Sequence, residues 1–177
     1  MAELIVIVGP IASGKSTVAH ELGSRFRAAG RRVAVLDLDD VVETIGGFAG
    51  LTPERFHAAQ VVYGELVGAW LQRGFDVIAH GPFFAPEEDQ AVLHAVPAGI
   101  VPRRVQLLAT YEAALERTVV DSGRAVSKDP AFLRAAYDRA ESLLPGLPPA
   151  DWTFDTTTRS SHEIVDALAA ELLGHRR

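Results

Sequence analysis

The chain has 177 residues, 48% of them hydrophobic and 23% charged; this suits one domain with a full hydrophobic core and excludes a disordered acidic segment. Seventeen Lys and Arg against twenty-three Asp and Glu give a net charge of -6, a balance that weighs against nucleic acid or an anionic membrane as partner while leaving room for a local basic cleft. No cysteine is present, so disulfides, thiolate catalysis and Cys-based zinc or iron–sulfur sites are excluded.

Leu4–Val8 is an unbroken apolar run ahead of Gly9 and Pro10. It predicts a strand buried on both faces of a parallel sheet. No basic segment or cleavage pattern precedes it, and no apolar run approaches the roughly 20 residues of a membrane-spanning helix, so the expected setting is cytoplasmic. Residues 15–29 read as a helix and 33–36 as a second strand that ends in acidic residues. Thr52 as cap, Pro53 in the first turn and Phe56, Ala59, Val62, Tyr63, Leu66, Val67, Trp70 and Leu71 at helical spacing predict a long amphipathic helix. Phe56, Tyr63 and Trp70 read as packing residues. A third strand is expected over 75–80 and a fourth with its apolar part at 105–109. Helices over 111–120 and 131–144 flank a polar interval, and a proline-rich connector leads to WTFD as a short fifth strand. The last helix carries Ile164, Val165, Leu168 and Leu172, with Ser160 and Glu163 as a capping box. This alternation predicts a single α/β domain over 1–177, a three-layer sandwich with helices on both faces of a parallel sheet.

The strongest signal is GPIASGKST, from Gly9 to Thr17. Gly9, Gly14, Lys15 and Ser16 fit G-x-x-x-x-G-K-[ST], and the motif lies between a strand and a helix, where its chemistry requires it. Such a turn lets backbone amides converge on phosphate oxygens, the helix start adds unpaired N–H groups, and Lys15 reaches the terminal phosphates. Ser16 is the expected magnesium ligand. Ser13 is a candidate phosphate donor, and Thr17 supports the first turn.

This loop, followed by LDLDD and a late arginine-bearing segment, resembles the P-loop kinase fold of shikimate, gluconate, adenylyl-sulfate, nucleotide and some antibiotic phosphotransferases. The resemblance implies a five-stranded sheet in the order 2-3-1-4-5, ATP and Mg2+ at the C-terminal ends of the strands, and the acceptor across the cleft. The GTP-specifying N-K-x-D signature is not evident, so ATP is the expected nucleotide.

Asp37, Asp39 and Asp40 follow the second strand. Carboxylates beside a triphosphate repel it unless they hold magnesium, order its water or take a proton from the acceptor. Asp37 and Asp39 match, in position and spacing, the Asp-x-Asp of shikimate-kinase-like and gluconate-kinase-like proteins. The preferred division gives Asp37 the magnesium side and Asp39 the acceptor and its proton; the reverse stays open. The third strand ends in His80 and Gly81, where many P-loop enzymes carry an acidic residue, so Asp37 or Asp39 is expected to replace it. His80 is a candidate acceptor contact and Phe83 a candidate acceptor wall. The glycine-rich region of about 45–57 is expected to form an acceptor flap, with Arg55 facing substrate.

Residues 101–141 hold seven Lys or Arg against six acidic residues, while the rest of the chain is strongly acidic. A lid is expected over about 118–130, because mobile basic groups stabilise charge in phosphoryl transfer. By resemblance, Arg117 stacks on adenine. Arg124 is the expected catalytic phosphate contact, with Lys128 as a second. Thr156, after the last strand, is expected beside adenine. The reading that follows is ATP- and magnesium-dependent transfer of the γ-phosphate to a small-molecule hydroxyl. A nucleotide or 5'-polynucleotide kinase and a nonkinase P-loop ATPase or switch are the alternatives. The oligomeric state and the identity of the acceptor stay open.

Overall fold

The computed structural model describes residues 2–120 and 129–174. The chain runs β1 (Leu4–Val8), α1 (Lys15–Ala28), β2 (Val33–Asp37), α2 (Leu38–Thr44), α3 (Pro53–Gln72), β3 (Asp76–His80), α4 (Pro86–Leu93), β4 (Arg103–Leu108), α5 (Tyr111–Val120), α6 (Pro130–Leu143), a short 3-10 turn (Leu144–Gly146), β5 (Trp152–Asp155) and α7 (Ser161–Gly174). The strands lie in the order β2-β3-β1-β4-β5 with every pairing parallel. This is the 2-3-1-4-5 sheet of a P-loop kinase-like α/β fold. Among the described residues no helix is long and apolar enough to cross a membrane.

Alternation along the strands divides the interior into two layers. Ile5 and Ile7 point with Ile78, Val105 and Leu107 into a core closed by α1 and α7. Leu4, Val6 and Val8 point the other way, with Val77 and Ala79, onto Tyr63 and Val67 of α3 and Val92 of α4. Both faces of β1 are therefore buried, which is why its sequence is apolar without interruption. Helix α3 begins as expected, with Thr52 Oγ1 accepting from Arg55 N at 3.3 Å and Pro53 in the first turn. Trp70 departs from the expected packing role: it is 37% exposed and rests edge-on against Phe75.

Two helices have no counterpart in the sequence reading. Strand β2 stops at Asp37, whose carboxylate caps the seven-residue α2 by accepting from Asp39 N at 3.1 Å. Helix α4 opens with Glu87, Glu88 and Asp89, an acidic run that suits a helix N-terminus. Glu88 and Asp89 are nonetheless buried. Glu88 Oε2 accepts from the backbone N–H of Phe84 and Ala85, and its other oxygen pairs with Arg139 of α6. Asp89 forms a two-pronged pair with Arg104, both bonds 2.8 Å, and both side chains are at most 9% exposed. Removing one partner of such a pair strands a buried charge. Asp89→Ala is therefore expected to destabilise the fold by about 3 to 5 kcal/mol, read as a lowered urea midpoint; an unchanged midpoint would show that Arg104 finds water instead.

Candidate active site

β1 delivers Gly9 to the C-terminal edge of the sheet. A Cβ there would lie 2.3 Å from the Leu107 carbonyl oxygen and 2.8 Å from Ser13 Oγ, so only glycine passes. At the other end of the loop Gly14 turns the chain into α1 with φ 86°, a left-handed conformation that glycine adopts freely. The first turn of α1 has neither a side-chain cap nor an acidic residue, so its N–H groups remain available to an anion. Lys15 Nζ folds over the loop and donates to the carbonyls of Gly9 and Pro10 at 2.8 Å each. Ser13 is fully buried and its hydroxyl has no hydrogen-bond partner among the described residues. Thr17 is exposed on the first turn of α1.

The two expected carboxylates part company because β2 ends between them. Asp37 stays on the strand end, half-buried, with Ser16 Oγ 3.5 Å from its Oδ2, the long limit of a hydrogen bond. Burial is the largest influence on Asp37 and raises its pKa, reinforced by Asp40 and opposed by the Asp39 N–H and by Lys15. Asp39 stands exposed in the first turn of α2, and so does Asp40. Asp37 meets the phosphate loop through Ser16.

His80 lies beside Asp37 across the β2–β3 register. Its Nδ1 is 3.5 Å from Asp37 Oδ1, in contact but not hydrogen-bonded, and neither ring nitrogen has a hydrogen-bond partner among the described residues. The ring is 1% exposed, with the edge of His20 at a centroid distance of 6.2 Å. Burial first, then Lys15 and His20, push its pKa down to about 4, so His80 is neutral at pH 7. The Tyr63 hydroxyl, missed by a reading that saw only a packing ring, sits between the two strand ends, 2.7 Å from the Leu36 carbonyl oxygen and 3.1 Å from that of His80. Its one proton serves the backbone on either side of the site.

The remaining expected residues fall into two groups. Arg117 and Thr156 come together: Arg117 Nη1 donates to Thr156 Oγ1 and to the Ala12 carbonyl at 3.0 Å each, and Nη2 donates to the Thr156 carbonyl at 2.5 Å. The guanidinium edge is thus fixed against the phosphate loop while the residue stays exposed. Phe83 is placed elsewhere than on an open wall: it is 0% exposed, packed in the α3-side core with its ring 6.4 Å from that of Tyr63. Arg55 donates to the Ile45 carbonyl and so closes the end of α2 onto the start of α3. Arg124 and Lys128 lie outside the described residues.

The shifted His80 pKa carries a stability consequence with a definite sign. Its value falls from 6.5 in the unfolded chain to about 4 in the fold, so the native state binds fewer protons between those limits. The stabilisation is complete above pH 6.5 and is lost as pH falls toward 4, a difference on the order of 3 kcal/mol. Urea unfolding of wild type and His80→Gln over that range is expected to show the variant's stability falling less steeply. Parallel curves would contradict the assigned shift.

A family model described as "AAA domain" matches residues 4–145. The thymidylate kinase of Mycobacterium tuberculosis is 29% identical over 174 residues, covering 98% of this chain and 69% of that protein. Among solved structures, the APS kinase of Mycobacterium tuberculosis in complex with AMPPNP and APS superposes with a TM-score of 0.71 at 18% identity, covering 97% of this chain and 98% of that one. Shikimate kinase from Acinetobacter baumannii in complex with shikimate gives 0.69 at 19% identity, covering 99% and 96%. A sugar kinase from Janibacter gives 0.69 at 17%, covering 97% and 95%. The extent of the matching region shows that the chain belongs to the AAA domain family.

Proposed function

We propose that this protein is an ATP- and magnesium-dependent phosphotransferase that moves the γ-phosphate to a hydroxyl group of a small molecule. The observation that carries the reading is the meeting of Ser16 and Asp37 at 3.5 Å beside Lys15, where the ends of β1, β2 and β3 converge. The residues present suit both groups. Ser13 Oγ is an orphaned buried hydroxyl beside a backbone cradle that a Cβ at Gly9 would fill. Ser16 and Asp37 offer two hard oxygen donors, the type magnesium prefers when phosphates supply the rest of its shell. Bound together, magnesium and ATP supply the transferable phosphoryl group and neutralise part of its charge.

The chain's own residues then divide the work. Loop amides and Lys15 bind the phosphates, with Ser13 and Thr17 beside them, and Ser16 and Asp37 hold the cation. Asp39, exposed one turn away, orients the acceptor hydroxyl and receives its proton. His80 stays uncharged next to Asp37, so the carboxylate is left for a metal ion rather than for an imidazolium. Arg117, its edge fixed by Ala12 and Thr156, offers its face to adenine. Residues of about 45–57 border the acceptor; the lid expected over about 118–130, with Arg124, falls largely outside the described residues.

A second reading, a nucleotide kinase, is favoured by the thymidylate kinase likeness. Against it, a nucleoside monophosphate would bring a dianion toward Asp37, Asp39 and Asp40, while Arg55 is committed to the Ile45 carbonyl. A screen of hydroxylated metabolites and nucleotides with magnesium and γ-labelled ATP, read by product mass, separates the two. A labelled hydroxyl compound is expected, a labelled nucleotide would favour the second reading, and free phosphate alone would favour an ATPase.

Within that assay Lys15→Ala should lower turnover by about 100-fold or more, the scale of losing a charge-stabilising group, with the circular dichroism spectrum unchanged. Near-wild-type turnover would remove Lys15 from the chemistry. Asp37→Asn should raise the magnesium concentration needed for half-maximal rate, whereas Asp39→Asn should depress the rate at saturating ATP and magnesium. Identical metal and acceptor profiles for the two variants would defeat the division between them.

A further inference from the structure

Among the described residues, Ala12 is the one non-glycine with a left-handed backbone, at φ 57°. A residue with a Cβ keeps that conformation only where its surroundings hold it. Here the holding groups come from α5 and α6, more than 100 positions along the chain. The Ala12 methyl is buried with Ala114, Leu133 and Tyr137, and Ile11 packs beside it. The Tyr137 hydroxyl donates to the Ile11 carbonyl at 3.1 Å, and Arg117 Nη1 donates to the Ala12 carbonyl at 3.0 Å. Tyr137 is itself fixed: it is 3% exposed and stands edge-on to Tyr111, whose face carries the Arg134 guanidinium at 3.5 Å. Burial pushes the Tyr137 phenol up to about 12, so it remains a donor throughout the neutral range.

These bonds determine more than packing, because in a trans peptide the C=O and the following N–H point in opposite directions. Holding the Ile11 and Ala12 carbonyls toward α5 and α6 turns the N–H groups of Ala12 and Ser13 away from those helices. The Ser13 N–H accordingly points to the Pro10 carbonyl, 3.3 Å away, and Lys15 Nζ reaches the same oxygen. The Ser13 amide thus closes the loop onto the Pro10 carbonyl, on the side where Lys15 lies.

We propose that Tyr137 is a positioning residue of the phosphate loop: with Arg117 and the buried Ala12 methyl, it holds the Ile11 and Ala12 carbonyls outward and so sets the loop's affinity for nucleotide phosphates. The link to affinity rests on the phosphate-binding role given to the loop above; the conformational part does not.

The test is a double-mutant cycle on magnesium–ADP affinity, measured by calorimetry with the full chain. Tyr137→Phe is expected to weaken binding roughly five- to tenfold, the worth of about one net hydrogen bond, and to leave the rate at saturating ATP within about twofold of wild type. In the Ala12→Gly background, where the left-handed conformation needs no holding, the same change should cost less than about twofold. Equal losses in both backgrounds, or none with Ala12 in place, would overturn the proposal. A readout without nucleotide keeps the two readings apart: the HN–Hα coupling and carbon shifts of Ala12 report its φ. Tyr137→Phe should shift them toward an average of conformers, and an Ala12 that stays left-handed in the variant would overturn the clamp. A wild-type protein that binds no magnesium–ADP would defeat the phosphate-site reading and the affinity link together, and the Ala12 coupling would then decide the clamp alone.

Discussion

Where β1 runs out between β3 and β4, the Leu107 carbonyl oxygen stands where a Cβ on Gly9 would have to be, so the chain leaves the centre of the sheet as bare backbone. A parallel sheet with both faces covered has no other opening for polar groups than its strand ends. The turn from β1 to α1 therefore gathers unpaired amides at one point, and the other functional groups are placed around it by the strands beside β1. Asp37 arrives on β2 and His80 on β3, in register with each other. Thr156 arrives after β5 and is joined to the loop through Arg117.

The treatment of buried polar groups separates scaffold from site. Away from the strand ends, Asp89 is matched by Arg104, and Glu88 by Arg139 and two backbone amides. Such complete pairing is the normal condition of buried charge. At the strand ends, by contrast, the Ser13 hydroxyl and both nitrogens of His80 are buried without hydrogen bonds among the described residues. Gln60 Nε2 on α3 is in the same condition. An unsatisfied buried polar group costs on the order of 1 to 3 kcal/mol. Three of these four atoms belong to the loop and the end of β3, and the fourth lies on α3.

Features of the sequence that act over a few residues could be read directly. The apolar run of β1, the glycines and lysine of the loop, and the Thr52–Pro53 start of α3 each have a local cause, and the sheet order came with the resemblance they carried. What could not be read depends on distant partners. Whether Asp37 and Asp39 share a face turns on where β2 stops, and it stops because Asp37 caps α2. Phe83 has the composition of an acceptor wall, but Tyr63, 20 positions earlier, gives it a core to enter. Arg117 and Thr156 were each assigned to the nucleotide separately, with nothing in the spacing to show that they bond to each other across 39 positions. The acidic start of α4 has no partner near it in the sequence, because Arg104 and Arg139, the residues that make its burial tolerable, lie far along the chain.

The two halves of the site are held in different ways, and electrostatics gives the difference a direction. On the phosphate side, Lys15 covers the Gly9 and Pro10 carbonyls while the outer carbonyls are taken by Tyr137 and Arg117, so positive charge and amide donors face the same space. On the carboxylate side, burial pushes Asp37 up and His80 down. Both shifts move toward the neutral form, which is what desolvation does to groups of either sign. A cation set between Ser16 and Asp37 would favour the carboxylate form and disfavour any charge on His80, leaving the histidine as it already is. The neutral imidazole beside Asp37 thus needs no change of its own when a cation is set between Ser16 and Asp37.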